Sequence, residues 1–108
     1  DIIVSAGRGV VDEFEDIKNF AKSINAEVCA SRGLVDTGAA PYEMQVGLTG
    51  KNVSPKVYIA VGISGAVHHT VAIENADVVI AVNPDKNARI FEYSDYGIVA
   101  KAEVLKNI

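Results

Sequence analysis

With 108 residues, 49% of them hydrophobic and 22% charged, the chain has the size and mixture of one water-soluble globular domain with one core. Asp and Glu number 14 against 10 Lys and Arg, a net charge of −4 with no basic run, which argues against nucleic acid as the main partner. No apolar stretch approaches the roughly 20 residues of a membrane span, and the single cysteine, Cys29, excludes an internal disulfide and suits a reducing compartment, the cytoplasm or a mitochondrial matrix.

The β-branched run Asp1–Ser5 predicts a buried strand that ends at the Gly-rich turn Ala6-Gly7-Arg8-Gly9. It opens without an initiator methionine, so we expect residues 1–108 to be a domain of a longer protein. Phe14, Ile17, Phe20, Ala21 and Ile24 then recur at helical spacing, with Asp12, Glu13 and Glu15 in the first turn, where the positive end of the helix dipole favours acids. Glu27–Ala30 predicts a second strand, with Cys29 as a small core residue. At Ser31 a loop is expected to leave the sheet. From Ala39 to Pro55, two prolines, Gly47 and Gly50 predict a long connection, a length usually kept for function.

Val57–Val61 is a continuous apolar run and predicts a third strand, Gly62–Gly65 a tight turn, Ala66–Ile73 a helix and Ala76–Val82 a fourth strand. Arg89–Tyr93 and Ile98–Ala100 read as two more short strands, with Asp95-Tyr96-Gly97 turning between them. Strands apolar throughout that alternate with helices imply a parallel sheet covered on both faces. The fold class is therefore α/β, an open doubly wound and mainly parallel sheet of Rossmann-like type.

Ligands of such sheets bind beyond the carboxyl ends of the strands, near the point where strand order reverses. The segments just past the expected strand ends are Gly7-Arg8-Gly9, Ser31-Arg32, Gly62-Ile63-Ser64-Gly65 and Asn83-Pro84-Asp85. Glycines admit close backbone approach, hydroxyls and amides bond phosphate or sugar oxygens, and arginines offset phosphate charge.

The familiar short motifs fail here. Gly7-Arg8-Gly9 begins like a dinucleotide fingerprint, but Asp12 stands where a third glycine belongs. Leu48-Thr49-Gly50-Lys51 resembles the end of a P-loop, yet Gln45 replaces its first glycine and Asn52 its Ser or Thr. Gly62-Ile63-Ser64-Gly65-Ala66 lacks the last glycine of a nucleophile elbow, and His68 and His69 lie on the helix that Ser64 opens, badly placed to complete a triad. Ser64 and Gly65 can instead present helix N-terminal amides to an anion such as pyrophosphate, although simple capping by Ser64 serves the segment equally well. Adjacent histidines on a helix diverge by about 100°, which disfavours a metal site. One of them could hydrogen-bond a ring carbonyl that gains negative charge, or the pair could simply be one packed and one solvated imidazole.

Three segments carry a resemblance: Ser31-Arg32-Gly33-Leu34-Val35-Asp36-Thr37-Gly38, Gln45-Val46-Gly47-Leu48-Thr49-Gly50-Lys51, and Tyr58-Ile59-Ala60-Val61-Gly62-Ile63-Ser64-Gly65-Ala66. With Gly7-Arg8-Gly9 and Asp95-Tyr96-Gly97-Ile98-Val99 in the same order at the two ends, the chain resembles the C-terminal FAD-binding domain of the electron transfer flavoprotein alpha subunit. The resemblance implies a DHS-like NAD/FAD-binding fold that holds FAD as an electron carrier, without catalytic residues or metal of its own. It implies a beta subunit as partner, dehydrogenases as donors and a downstream acceptor, with no insertion into a membrane.

By the same resemblance, Arg32 lies against the flavin ring as a fixed cation, Thr49 stands near the reactive ring nitrogen, and His69 faces the pyrimidine side. Ser64 and Gly65, with Ala66 and Val67 beyond them, form the phosphate turn. Val46, Gly47 and Leu48 supply backbone contacts, and Arg8, Ser31 and Asn83 contact the rest of the cofactor. Three positions depart from the family's usual residues: His68 replaces a Gln and adds a titratable group, Leu48 replaces a Gln, and Lys101 stands where an Asp is common, exchanging a carboxylate–ribose bond for a Lys–phosphate contact. A rival reading of the same residues is a module that binds an adenine nucleotide for regulation and performs no redox chemistry.

Overall fold

The computed structural model describes residues 2–30, 32–40, 56–63 and 76–101. Their frame is a five-stranded sheet in the order β2-β1-β3-β4-β5, formed by β1 (Ile2–Ala6), β2 (Glu27–Ala30), β3 (Val57–Val61), β4 (Val78–Asn83) and β5 (Tyr96–Val99). All four pairings are parallel, as the unbroken apolar runs of β1 and β3 require of strands buried on both faces. The order reverses between β1 and β3, since the chain moves outward to β2 and then returns past β1.

The register sets the strand ends level. Ala30, Ala6, Val61, Val82 and Ile98 are successive partners across the sheet, so the strands reach the carboxyl edge together.

Side chains alternate between two packed layers because successive residues of a strand face opposite ways. One layer gathers Val4, Ala6, Ile59, Val61 and Val82 against Phe14, Ile17 and Ala21 of α1 (Phe14–Ser23). The other holds Ile3, Cys29, Tyr58, Ala60, Val79 and Ala81, with Ile63 and Ile90 over them. Full burial of side chains such as Ile17, Leu34 and Tyr58 stabilises the fold by about 1.5–3 kcal/mol each. Cys29 lies in the core, as expected of it.

The second layer also carries polar groups. Tyr58 is fully buried, and burial pushes its phenol up to about 12, with the Ser5 hydroxyl pulling the other way and Cys29 adding to the rise. The Ser5 Oγ stands close enough to influence the phenol, yet it has no partner in hydrogen-bonding geometry among the described residues.

Several sequence expectations need correction. Between β1 and α1 lies a 3-10 segment, Arg8–Glu13, so Asp12 and Glu13 precede α1, while Glu15 stands in its first turn as expected, joined there by Asp16. A short helix α2, Arg32–Asp36, stands where a loop was expected; the Thr37 hydroxyl donates to the Leu34 carbonyl at 2.6 Å and closes its end. Arg89–Tyr93 is a 3-10 helix rather than a strand, because this turn brings Ile90 into the core with Phe91 partly buried beside it.

The expected turn at Asp95-Tyr96-Gly97 is the start of β5. Asp95 fixes that start from both sides, since its Oδ2 accepts the Val79 N–H at 2.8 Å and its own N–H donates to the Val79 carbonyl at 2.8 Å. Gly97 suits a strand here because the Phe91 ring lies against it: a Cβ would fall 2.7 Å from Phe91 Cδ1. The expected strands at 1–5 and 76–82 are displaced by one or two residues, to Ile2–Ala6 and Val78–Asn83. The expected helix over 66–73 and most of the connection from 39 to 55 lie outside the described residues.

Candidate functional site

At the reversal of strand order the backbones leaving β1 and β3 meet directly. The Gly7 N–H donates to the Val61 carbonyl at 2.8 Å, and the Gly62 N–H donates to the Val82 carbonyl at 2.9 Å, so each strand's ladder continues one residue past its end. Gly62 has a φ of +67°, a left-handed conformation that glycine adopts without the steric cost a Cβ would bring. Val10 closes over it, leaving no space for a side chain: a Cβ on Gly62 would lie 2.6 Å from Val10 Cγ1.

Along the carboxyl edge on either side of this crossing, the exits of β1, β4 and β5 carry polar side chains. Arg8 and Gly9 come directly after β1 and are exposed. The 3-10 segment they begin packs against α2, the helix that succeeds β2 and begins at Arg32. Asn83, the last residue of β4, is buried, with its Nδ2 donating to the Ile63 carbonyl at 3.0 Å and its Oδ1 accepting the Asp85 N–H at 2.9 Å. Lys101, two residues past β5, is exposed. Arg8 and Lys101 are free to meet solvent or a ligand, whereas Asn83 already has partners within the chain.

Of the residues expected at the site, Arg8, Asn83 and Lys101 are thus placed on one edge, together with the backbone of Arg32. Ser31, Val46, Gly47, Leu48, Thr49, Ser64, Gly65, Ala66, Val67, His68 and His69 lie outside the described residues. The sequence signalled the glycines as a failed fingerprint and as segments past strand ends where backbone could come close to a ligand. Gly7 and Gly62 serve instead to let two strand exits touch, a pairing of distant positions that no local motif encodes. The bond from Asn83 to Ile63 was equally invisible, since one partner is a backbone carbonyl.

Fold and edge define a class first: a parallel α/β domain of nucleotide-binding type, with its ligand edge at a Gly-lined reversal of strand order. The close backbone approach that the glycines allow at that edge and the exposed cations Arg8 and Lys101 fit a cofactor that carries phosphates. Similarity to known proteins is more specific. Residues 1–74 match the family model of the electron transfer flavoprotein FAD-binding domain. Over 104 residues, 94% of this chain, it is 51% identical to Protein FixB of Azotobacter vinelandii. It is 48% identical over 92% of its length to the electron transfer flavoprotein subunit alpha of Pseudomonas aeruginosa. The mitochondrial alpha subunit of Oryza sativa subsp. indica is 44% identical over 92% of the chain.

The chain belongs to the FAD-binding domain family of electron transfer flavoprotein alpha subunits. It spans 29% of the FixB protein, 33% of the Pseudomonas subunit and 28% of the rice subunit.

Proposed function

We propose that this domain holds FAD along the carboxyl edge of its sheet within a larger electron carrier. In that carrier a beta subunit completes the flavin site, dehydrogenases supply electrons and a further acceptor takes them. The observation that carries the reading is the Gly7–Gly62 crossing at the reversal of strand order, which sets the Arg8 segment beside the Gly62–Ile63 turn. A reducing compartment, cytoplasmic or matrix, accords with the mitochondrial relative in rice and with the buried thiol of Cys29.

The flavin supplies the redox chemistry, and the protein supplies position and electrostatics. Arg32 acts as a fixed cation that favours negative charge on the reduced ring. Thr49 orients the reactive nitrogen through its hydroxyl, and His69 hydrogen-bonds the pyrimidine side, with His68 as a titratable neighbour. Ser64, Gly65, Ala66 and Val67 receive the phosphates with backbone amides. Arg8 and Lys101 offset phosphate charge, Ser31 contacts the remaining polar atoms, and Val46, Gly47 and Leu48 line the ring with backbone. No nucleophile or general acid is needed, so the domain is a carrier rather than an enzyme.

The test is to produce the full-length alpha subunit carrying this domain with its beta partner, measure flavin absorbance, and reduce it stepwise. Stoichiometric FAD that titrates reversibly is expected. Absence of flavin uptake in the assembled protein, or calorimetric preference for AMP with indifference to FAD, would overturn the proposal.

A further inference from the structure

The two cations that offset phosphate charge in the proposed site stand on unlike supports. Arg8 follows β1, whose last four residues are buried and which pairs with β2 on one side and β3 on the other. Lys101 follows β5, the edge strand, which pairs with β4 alone. None of the four residues of β5 is buried, and Tyr96, Ile98 and Val99 are 65%, 40% and 57% exposed. The Phe91 ring lies against Gly97, but side-chain burial contributes little to holding the strand.

Backbone bonds hold it instead, and the ladder is reinforced at each end. At the entrance, Asp95 Oδ2 accepts the Val79 N–H and the Asp95 N–H donates to the Val79 carbonyl, both at 2.8 Å. At the exit, the Ala100 N–H donates to the Asn83 carbonyl at 3.1 Å, one residue before Lys101. A short edge strand with so little buried surface belongs to the part of a fold that opens locally at low cost. When β5 opens, Lys101 leaves the carboxyl edge with it.

We infer that Asp95 is a positioning residue for the cofactor: by clamping β5 to β4 it holds Lys101 at the carboxyl edge, where the lysine meets a phosphate. The inference rests on the reading of this edge as the flavin site. Asp95 acts through the strand, because the four residues of β5 separate it from that edge by roughly 13 Å at about 3.3 Å per residue. That is beyond the Debye length of about 8 Å at physiological salt, so its charge is screened from the cofactor. The lysine's contact is made only by molecules with β5 docked, and its share of the affinity falls with the docked fraction. Linkage runs both ways, so a phosphate held by Lys101 favours docked β5 by the same factor.

A double-mutant cycle in the full-length alpha subunit with its beta partner tests this, with the dissociation constant for FAD as readout. Lys101→Ala should weaken binding about tenfold. Asp95→Ala should weaken it by about three- to tenfold, and not beyond the loss from Lys101→Ala. Added to Lys101→Ala, the same change should cost less than about twofold, since no contact is left for the clamp to deliver. Asp95→Asn, which keeps an acceptor for the Val79 N–H, should bind nearly as tightly as the unaltered protein. An equal loss from Asp95→Ala in both backgrounds would make Asp95 a general support of the fold and overturn the inference. Full affinity in Asp95→Ala or in Lys101→Ala would overturn it too.

Hydrogen exchange gives a second readout that needs no change at Asp95. In the unaltered protein FAD should slow exchange of Tyr96–Val99 by about tenfold relative to the flavin-free protein, and in Lys101→Ala by less than about twofold. Equal protection in the two proteins would refute the coupling. No FAD uptake by the unaltered protein would remove the site reading, and this inference with it.

Discussion

Gly7 and Gly62 approach so closely across the boundary between β1 and β3 that a methyl group on Gly7 would stand 2.7 Å from the Gly62 carbonyl carbon and 2.9 Å from Ile63 Cα. All of the opposing atoms are backbone, so no side-chain rotation can relieve the clash. Gly7→Ala should therefore destabilise the domain by about 3 kcal/mol, the upper part of the range for overpacking. At Gly9 the nearest atom to an added Cβ is the Gly62 oxygen at 3.2 Å, which asks for a shift of only a few tenths of an ångström. Gly9→Ala should cost about 1 kcal/mol or less. Urea unfolding of the two variants side by side checks the ranking, and equal losses would refute it.

Tyr58 gives the fold a dependence on alkaline pH. Its phenol is raised from 10.0 to about 12 by burial, so the folded state holds this proton more tightly than the unfolded chain does. The associated stability is complete below pH 10 and is lost as pH rises from about 10 to 12. Two pKa units correspond to on the order of 3 kcal/mol. Tyr58→Phe cannot ionise there, so its stability should fall less steeply over that window. Parallel slopes for the two proteins between pH 9 and pH 12 would contradict the assignment.

Asp95 is the clamp on the exposed end of the sheet. β5 is exposed along its whole length, and little side-chain burial holds it against β4. The two backbone-directed bonds between Asp95 and Val79, each 2.8 Å, therefore carry a large share of its attachment. Asp95→Ala removes the carboxylate bond, which as a charge-assisted bond should contribute about 1.5–3 kcal/mol. Amides of Tyr96–Val99 should exchange faster, while those of β1 and β3 keep their protection. Asp95→Asn retains an acceptor and should restore most of it.

For the proposed flavin site, Arg32→Ala should lower the two-electron potential by at least about 30 mV, the equivalent of about 1.4 kcal/mol of lost preference for the reduced state. Arg32→Lys, which keeps the charge, should lie between. Potentiometric titration of both variants against the unaltered protein decides this, and an unchanged potential in Arg32→Ala would remove that arginine from its tuning role.

Strand limits were legible in the sequence where local pattern alone decides them. Glu27–Ala30 and Val57–Val61 were readable to the residue, because a short apolar run flanked by polar or Gly-containing segments leaves little freedom in its limits. Arg89–Tyr93 was misread because five residues containing Ile, Phe and Tyr suit a strand or a single helical turn equally well. The choice falls to packing, which brings Ile90 into the core, and to Asp95, which ties the chain to Val79 just before β5 begins at Tyr96.

At the site, the rule that ligands gather beyond carboxyl ends singles out Gly7, Arg8, Gly62 and Asn83 from the sequence alone. What those residues do to one another was hidden, since the Gly7–Gly62 contact and the Asn83–Ile63 bond join atoms far apart along the chain and end on backbone.

The level ending of the strands restricts how the domain can change in length. Inserting one residue within β3 would carry its exit about 3.3 Å beyond the neighbours and turn every later side chain to the opposite face, breaking the Gly7–Gly62 crossing and the Asn83–Ile63 bond together. The amino ends are the better place to absorb length: there the Val78 N–H meets the Lys56 carbonyl at 2.9 Å, on the edge opposite the strands' carboxyl ends. A library of single-residue insertions along the strands would thus sort by end, with tolerance at the entrances and intolerance at the exits.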